Sequence, residues 1–434
     1  MLTCAASDQA RGCTVSLLDL GDALARLHTL LDPVAEITHV PLPDALGRCC
    51  AEAVHAPADI PAFANSAMDG YAVRWQPALA ATLPVRLRRI GTSFAGHAFD
   101  GTLTDPATCV RIFTGAPLPD GADAIVIQEN TRADGDEVTV LEPARHGQWV
   151  RAAGHDLRAG ALVVAAGTRL EAQHIGLCAA AGVSTIAVRR AVRVAVLSNG
   201  DELVDPGTAL APGQIYDSNR ATLKAMLAAE PVEVLDLGRV GDHTDAIQAA
   251  LDRARTGGAD LVLCSGGVSV GDADLVREVV QRNGEIDFWR IAIKPGKPLA
   301  FARLDATGTA AAGGRAAWFI GLPGNPVSTF ITYQAIVRPA IRRLAGIDAA
   351  ALPMLHARAA HRIEKDPGRL EWQRGVLHVD AEGRTAVRNT GNQSSGMLSS
   401  VVAANCFIVL ARDQGDVEEG TEVQVLPFAG ALAG

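Results

Sequence analysis

The stretch Asp260-Leu-Val-Leu-Cys-Ser-Gly-Gly-Val-Ser-Val-Gly-Asp-Ala-Asp274 decides the fold of the central part of the chain. Its first five residues, Asp260–Cys264, are mostly aliphatic, which is the composition of a buried strand. Three glycines follow, and the apolar spacing over Ala273–Arg282 predicts a helix directly after them. A strand that runs through a glycine-rich loop into a helix is typical of an α/β domain.

The same alternation of strand and helix continues on both sides of this stretch. Further strands are predicted at Val192–Leu197, Val232–Gly238 and Ala317–Ile320, and further helices at Ser218–Ala229, Thr244–Arg255 and from Pro326 to about Leu344. This order predicts a parallel sheet with helices on both faces, whose ligands lie beyond the carboxyl ends of the strands. We therefore expect a multidomain α/β protein with a three-layer α/β domain over residues 191–346.

The sequence around residues 191–346 is richer in short β-type runs. Runs separated by Gly, Pro and Asp clusters predict an inserted β domain over residues 55–143 and a C-terminal β domain over residues 347–434. Residues 14–54 and 144–190 have mixed character, with helices predicted over Leu17–Leu31 and near Ala172–Ala180. Asp19 is the expected N-cap of the first helix, and Pro33 is expected to stop it.

Composition excludes several classes of protein. The chain has 434 residues, 48% of them hydrophobic, and a formal net charge of -9, which argues against disorder and against general nucleic-acid binding. No apolar run reaches the roughly 18 residues that would span a bilayer, and no secretory signal is visible. The eight cysteines form no C-x-x-C pair and the histidines are scattered, so we expect reduced thiols, a cytoplasmic location and no zinc site.

Two loops after predicted strands carry acidic residues. Ser198–Leu203 contains an Asn-Gly turn followed by Asp201 and Glu202. This pattern indicates either a solvated acidic turn or the carboxylates of a functional site. In the second loop, three glycines allow close approach of the backbone to a phosphate, and Asp272 and Asp274 follow. Because carboxylates would repel phosphate, this loop predicts either helix capping or a Mg²⁺ site.

Two further loops carry cations or a helix start. Ala292–Pro298 holds Lys294 and Lys297 between prolines, either as solvated loop lysines or as an anion clamp. We expect both charges to be removable at little cost in stability. Gly321–Ser328 places Asn325 and Pro326 as N-cap and first residue of a helix, which capping alone can explain. Together the four loops predict a site for an oxyanion and a phosphorylated ligand with a divalent cation.

These loops resemble the molybdopterin molybdenumtransferase family, the bacterial MoeA type that is also found as the C-terminal region of gephyrin. The motifs that carry the resemblance are SNGDEL, GQIYDSNR, SGGVSVGDAD, AIKPGKP and GLPGNPVS in the α/β region, PAFANSAMDGYAVR, RIFTGAPLPDGADAIVIQE and GHDLRAG before it, and PGRLEWQRG and NCFIVL after it. The resemblance covers residues from about 14 to 430.

The family resemblance implies four parts and a reaction. Residues 14–54 and 144–190 would form an elongated dimerisation domain, interrupted by a β domain over residues 55–143. Residues 191–346 would form the molybdopterin-binding domain and residues 347–434 a β barrel. Members form homodimers, with the cleft between the α/β domain of one protomer and the C-terminal part of the other. The substrates would be molybdate and adenylylated molybdopterin, and Mg²⁺-dependent hydrolysis would release AMP. Further candidate partners are the molybdopterin adenylyltransferase and molybdoenzyme chaperones.

The resemblance also implies roles for individual residues. Those implied as catalytic are Asp69, Thr114, Asp156, Glu202, Asp242, Asp274, Lys294 and Lys297. Those implied to bind substrate are Ser265, Gly266, Gly267, Ser269, Arg290, Pro323, Pro326, Arg374 and Ser395. The implied Mg²⁺ carboxylates are Glu202, Asp242 and Asp274. The chain departs from the usual pattern at Ala64, Asn199 and Arg290, where Asp, Thr and Lys are more common, and in an Ala/Gly-rich insertion over Asp305–Arg315.

Two other functions share parts of this pattern. An adenylyltransferase that makes the adenylylated pterin has the same α/β domain, but the large flanking regions argue against it. A receptor-clustering scaffold of the gephyrin kind is the other, but in gephyrin that role accompanies a second, adenylylating domain for which this sequence has no room.

Overall fold

The computed structural model describes residues 17–77, 79, 83–268, 275–306, 316–347 and 354–428. The chain divides into two compact units. The large unit comprises the described residues of Met1–Ile37, Gly47–Cys49 and Arg189–Gly434, and the small unit comprises those of Thr38–Leu46 and Cys50–Val188. Within the described ranges, no helix is both long enough and apolar enough to cross a membrane.

The first helix, α1 (Leu20–Leu30), belongs to the large unit. Asp19 caps it, since its carboxylate accepts a hydrogen bond of 2.9 Å from the Gly21 N–H. One face, with Ala23 and Leu27, is buried. The predicted cap is confirmed, and the helix ends before Pro33 as expected.

Twelve strands and one helix of the described residues follow between residues 37 and 189. They are β1 (Ile37–Pro41), β2 (Val54–His55), β3 (Asn65–Ser66), β4 (Gly70–Val73), β5 (Val85–Ser93), β6 (Thr108–Ile112), β7 (Ala124–Ile127), β8 (Thr131–Asp134), β9 (Glu137–Val140), β10 (Val150–Arg151), β11 (Leu162–Val164), α2 (Ala172–Ala180) and β12 (Thr185–Arg189). Single 3-10 turns lie at Leu42–Ala45 and Gln128–Asn130.

The small unit is built around one six-stranded sheet in the order β7-β4-β6-β5-β9-β8. Its strands alternate between two apolar clusters, so that Tyr71 and Val73 lie in one and Ala72 in the other. Three two-stranded ladders, β1 with β12, β2 with β11 and β3 with β10, accompany this sheet. The β-rich character that the sequence predicted is therefore present.

In the described ranges, nine strands and five helices form the α/β part of the large unit. They are β13 (Val192–Asn199), β14 (Leu203–Val204), β15 (Ile215–Tyr216), α3 (Ser218–Leu227), β16 (Val232–Val240), α4 (Thr244–Thr256), β17 (Leu261–Ser265), α5 (Leu275–Asn283), β18 (Gly284–Arg290), β19 (Ile293–Lys294), β20 (Pro298–Leu304), β21 (Ala317–Leu322), α6 (Pro326–Thr332) and α7 (Arg338–Leu344). A π turn over Tyr333–Val337 joins the last two helices.

The central sheet has the order β16-β13-β17-β21-β20-β18. The first four strands are parallel, as predicted, whereas β20 runs antiparallel to both of its neighbours. Strand β20 was not predicted from the sequence. It follows the proline-containing lysine loop, and such a segment resembles an irregular connection.

Helices cover both faces of this sheet. Alternate residues of β13 belong to two different apolar clusters: Val194 and Val196 pack with α3 and α6 on one face, and Ala195 and Leu197 pack with α4 and α5 on the other. Buried on both sides, the strand has an almost continuous hydrophobic sequence. The predicted three-layer α/β arrangement is confirmed.

The C-terminal part is a small closed barrel. Its elements are β22 (Leu355–Ala359), β23 (Leu370–Val379), β24 (Thr385–Asn389), a short helix α8 (Ser399–Val402), β25 (Cys406–Leu410) and β26 (Glu422–Pro427). The strands pair in the order β23-β24-β22-β26-β25, and β25 pairs again with β23, which closes the ring. Strand β19 adds to β23 in parallel, with Lys294 opposite Glu371, so the barrel is hydrogen-bonded to the lysine loop of the same chain.

Candidate active site

A cleft of about 920 Å³ lies at the carboxyl ends of the parallel strands, where ligands of open α/β sheets bind. Its lining comes from the loops after β13, β16, β17 and β21, from the loop between β19 and β20, and from the barrel. The lining residues are Asn199, Gly200, Glu202, Ile215, Asp242, Gly266, Gly267, Val268, Leu275, Lys294, Pro295, Gly296, Lys297, Pro298, Pro323, Gly324, Asn325, Ser328, Arg369, Glu371, Arg374, Gln393 and Ser395.

The glycine loop after β17 forms one wall of the cleft. Gly266 and Gly267 have φ angles of 84° and 66°, in the left-handed region that favours glycine. A Cβ on Gly266 would lie 2.4 Å from the main-chain oxygen of Asn199. The loop therefore has no room for a side chain at this position, and its backbone is open to a ligand.

Asn199 ties this wall to its neighbours. It is buried, and its Nδ2 donates hydrogen bonds of 3.1 Å to the main-chain oxygens of Val240 and Gly241. Its Oδ1 lies against Gly267. The ends of β13, β16 and β17 are thus joined by one side chain, which is a role that a threonine hydroxyl could not fill, because it has only one donor.

Two of the three expected metal carboxylates line the cleft. Glu202 follows β13 and Asp242 follows β16. Asp242 exchanges hydrogen bonds with Asp201, each carboxylate accepting from the other residue's main-chain N–H at 3.3 and 3.1 Å. Asp274 and Ser269 lie outside the described residues. Among the residues that are described, no group of three or more His, Cys, Asp or Glu side chains could hold a metal ion.

The environment of Lys294 differs from the one expected for a solvated loop lysine. Its Nζ lies 3.2 Å from Oε2 of Glu371, a barrel carboxylate that is 4% exposed. Losing this ammonium would leave a buried carboxylate without its partner, which is costly. The expectation that Lys294 can be neutralised at little cost in stability is therefore not supported by its environment.

The environment of Lys297 is different from that of Lys294. Lys297 lines the same cleft and makes no ion pair within the described residues.

Arg374 lies at the barrel side of the cleft with its side chain fully buried. Its Nε donates to Ser400 Oγ at 3.0 Å, and its Nη2 donates to the main-chain oxygens of Asn392 and Ser394. Its Nη1 has no hydrogen-bond partner in the described part of the chain. Burial lowers the pKa of this guanidinium to about 10, so it stays charged at neutral pH. The Glu371 carboxylate offsets part of this charge, and a buried guanidinium with a free N–H donor suits an anionic ligand.

Arg374 and Ser395 line the cleft of their own chain, which corrects the expectation that the C-terminal part faces the α/β domain of a partner. Besides the pairing of β19 with β23, the Val327 N–H donates to the Ser395 main-chain oxygen at 3.2 Å. Asn325 Nδ2 donates to Ser395 Oγ at 3.0 Å. These bonds within one chain hold the barrel against the α/β domain.

The same contacts correct the role expected for Asn325. It occupies the N-cap position of α6 but makes no capping hydrogen bond with its side chain, because that side chain reaches the barrel instead. Pro326 begins the helix as predicted. Pro323 lines the cleft, whereas Pro326 does not.

Two other predicted ligand residues lie away from the cleft lining. Ser265 is buried and its Oγ accepts a hydrogen bond of 2.8 Å from Asn219, so it holds the loop. Arg290 lines a different cavity of about 660 Å³, beside α1 and the end of β18, together with Arg26 and Trp289.

In the small unit, Asp69 and Thr114 are in contact. One Asp69 carboxylate oxygen accepts from both the N–H and the hydroxyl of Thr114 at 2.8 Å. These two hydrogen bonds hold the pKa of Asp69 below its ordinary value. Asp156 is exposed, and its main-chain N–H donates to the Ile60 oxygen.

The sequence analysis missed three barrel residues of the cleft, Arg369, Glu371 and Gln393. Glu371 and Gln373 alternate with Leu370 and Trp372, and such alternation in a strand normally indicates a solvent-facing polar side. Here Glu371 and Gln373 are buried. Gln373 donates to Glu371 and to the main-chain oxygen of Glu364, and Glu371 lies beside Lys294 of β19. The signal that the sequence offers for these residues is a pair of polar side chains at alternate positions, Glu371 and Gln373, directly before Arg374.

Fold and cleft together define a multidomain α/β protein of the molybdopterin-binding class. Three family profiles match consecutive parts of the chain: "MoeA N-terminal region (domain I and II)" over residues 18–182, "Probable molybdopterin binding domain" over residues 195–343 and "MoeA C-terminal region (domain IV)" over residues 356–428.

Whole-chain comparisons agree with these profiles. The chain is 39% identical to a molybdopterin molybdenumtransferase of Haemophilus influenzae, over 95% of this chain and 99% of that protein. It is 29% identical to gephyrin of Dictyostelium discoideum, covering 96% of this chain and 63% of gephyrin. The crystal structure of a molybdopterin biosynthesis MoeA protein from Pyrococcus horikosii matches 96% of this chain and 100% of that one, with a TM-score of 0.76 and 30% identity. The chain belongs to the molybdopterin molybdenumtransferase family.

Proposed function

We propose that this chain is an enzyme of molybdenum cofactor biosynthesis that inserts molybdenum from molybdate into adenylylated molybdopterin, with hydrolysis of the phosphoanhydride and release of AMP. Family membership supports the enzyme class and the transfer of molybdenum to molybdopterin. The adenylylated substrate and the release of AMP are the finer parts of the proposal.

The observation that carries the proposal is the distribution of chemistry around the cleft. A glycine loop and two carboxylates, Glu202 and Asp242, lie at the ends of neighbouring strands. Lys297 and the buried Arg374 supply positive charge from the lysine loop and the barrel. A phosphate-binding side and an oxyanion-binding side in one cleft suit a reaction between a phosphorylated pterin and an oxyanion.

The donor set fits Mg²⁺. This ion takes one or two carboxylates and completes its shell with water and phosphate oxygens, and Glu202 and Asp242 offer oxygens without any thiol or imidazole beside them in the described lining. When bound, Mg²⁺ would neutralise the phosphoanhydride and make its phosphorus easier to attack. We propose Asp274 as the third carboxylate on the strength of its sequence position.

Different residues of the chain would then bind different parts of the two substrates. The N–H groups of the loop at Gly266 and Gly267 would hold phosphate oxygens. Lys297 and the free Nη1 of Arg374 would hold molybdate, with Lys294 and Ser395 beside them. Pro323 would shape the pterin side of the cleft. Asp69, Thr114, Asp156 and Arg290 are proposed to support activity from outside the described lining.

We also propose that the protein acts as a cytoplasmic homodimer through residues 14–54 and 144–190. The remaining divisions would be an inserted β domain over residues 55–143, the molybdopterin-binding domain over 191–346 and the barrel over 347–434. Molybdopterin adenylyltransferase and molybdoenzyme chaperones are the proposed protein partners.

The proposal predicts that AMP release from adenylylated molybdopterin requires Mg²⁺, molybdate and Glu202. Lys297→Gln should raise the molybdate concentration needed for half-maximal AMP release by about tenfold, because one charge near the oxyanion is lost. Its melting temperature should stay near that of the wild type, since Lys297 has no ionic partner in the described chain. AMP would be measured by chromatography and molybdenum on the pterin by metal analysis.

A control incubation with molybdopterin and ATP separates this function from adenylylation. An adenylyltransferase would form the adenylylated pterin, whereas this protein should leave both compounds unchanged. Equal AMP release with and without molybdate would contradict the proposal.

A further inference from the structure

Lys294 and the buried Glu371 form an ion pair at the wall of the cleft. They are direct neighbours in the pairing of β19 with β23, with Nζ and Oε2 3.2 Å apart. The Glu371 side chain is 5% exposed and the Lys294 side chain 36% exposed. A second carboxylate, Asp366, lies 3.8 Å from the same ammonium but is 95% exposed, so it contributes little.

Glu371 is fixed in place from the barrel side. Its Oε1 accepts a hydrogen bond of 3.1 Å from Gln373, whose amide also donates to the main-chain oxygen of Glu364. Its Oε2 receives no aligned hydrogen bond among the described residues, although it lies at ion-pair distance from Lys294. The contact with Lys294 is therefore one of charge, and the ammonium keeps N–H donors for a ligand oxygen.

Glu371 places a negative charge on the lysine-loop and barrel side of the cleft, which also carries Lys297 and Arg374. The described lining contains four cationic side chains. Glu371 lies in ion-pair contact with Lys294, and its charge also acts on the buried Arg374. A dianion that enters must be attracted by Lys297 and Arg374 against the repulsion of Glu371. The same carboxylate also lines a neighbouring polar cavity of about 730 Å³, together with Lys294 and Gln393.

We propose that Glu371 sets the affinity of the cleft for oxyanions: it offsets the charge of Lys294, so that a dianion is held loosely enough to be passed on. This inference rests on the proposed function in so far as molybdate is the natural dianion. An oxyanion that is to be transferred gains nothing from tight binding before the reaction, because uniform binding does not raise the rate of the chemical step.

The test is a set of four proteins titrated with one dianion at a time, molybdate or sulfate, by calorimetry on the full chain. Glu371→Gln should bind either dianion about tenfold more tightly than the wild type, because one repelling charge is removed. Lys294→Gln should bind more weakly, because Glu371 is left without its partner. The double variant should return to near the wild-type affinity, because its net charge is that of the wild type.

A matched control is Glu364→Gln, which removes an exposed carboxylate of the neighbouring cavity that makes no side-chain contact with Lys294. It should leave the dianion affinity within twofold of the wild type. In turnover, Glu371→Gln should lower the half-saturating molybdate concentration without raising kcat. Melting temperatures of all variants report any loss of folding, and the double variant should be more stable than Lys294→Gln.

The outcomes separate this inference from the proposed function. If Glu371→Gln binds dianions no more tightly than the wild type, or if the double variant is no better than Lys294→Gln, Glu371 is only a structural support and the inference is wrong. If the predicted order holds for sulfate while molybdate is neither bound nor consumed, the inference stands and the proposed function fails.

Discussion

At the scale of single residues, the glycine loop shows how strictly the backbone limits sequence. Gly266 combines a positive φ with a Cβ position only 2.4 Å from a main-chain oxygen, whereas Gly207 has a φ of 93° and open space around it. An alanine at either position would strain the left-handed backbone. Only at Gly266 would the added Cβ also displace a neighbouring main-chain atom.

Gly266→Ala and Gly207→Ala therefore make a matched pair. The left-handed conformation should cost each variant on the order of 1–2 kcal/mol, which urea unfolding would measure. Gly266→Ala should lose more than this and should also lose nearly all AMP release, because the wall of the cleft is displaced. Equal stability and equal activity of the two variants would show that the close approach to Asn199 does not matter.

At the scale of elements, the start of α6 is tied to the barrel and not capped by its own N-cap residue. Asn325 and Ser395 should therefore be coupled in stability. A double-mutant cycle with Asn325→Ala and Ser395→Ala should give a coupling of about 1 kcal/mol, the usual net value of one hydrogen bond.

If Asn325 acted as an ordinary helix cap, its replacement would cost the same in the presence and absence of the Ser395 hydroxyl. Unfolding curves of the two single variants and the double variant decide between these cases. Asp217 provides the comparison, since its side chain does cap α3 by accepting from the Arg220 N–H.

At the scale of the whole molecule, the large unit builds its cleft from one chain. Lys297 and Arg374 lie on different domains but line the same cleft. At molybdate concentrations that limit both parent variants, mixed dimers of Lys297→Gln and Arg374→Ala chains should therefore not restore activity, because every cleft carries one defect.

This prediction is checked with differently tagged chains, co-expressed and purified as mixed dimers. Recovery of up to half of the wild-type AMP release would mean that the barrel of one chain serves the cleft of the other. Activity at the level of the parent variants is the expected result.

Much of the fold could be predicted from the sequence. The buried parallel strands β13, β16, β17 and β21 and the helices between them follow from aliphatic runs and helical periodicity, which are local properties. The positions of Glu202 and the glycine loop at the cleft also follow, because loops after parallel strands meet at one edge of the sheet. Asp242 was indicated only by the family resemblance.

What the sequence by itself determined is therefore the α/β domain, its β-rich flanks and the loops that carry the chemistry. Only the tertiary structure decided how the barrel completes the cleft. The pairing of β19 with β23 is a contact between strands of only 2 and 10 residues, far apart in the chain. It turns Glu371 from an apparently solvated residue into the buried partner of Lys294. Burial and charge pairing of this kind depend on which surfaces meet, and no local pattern of residues encodes that.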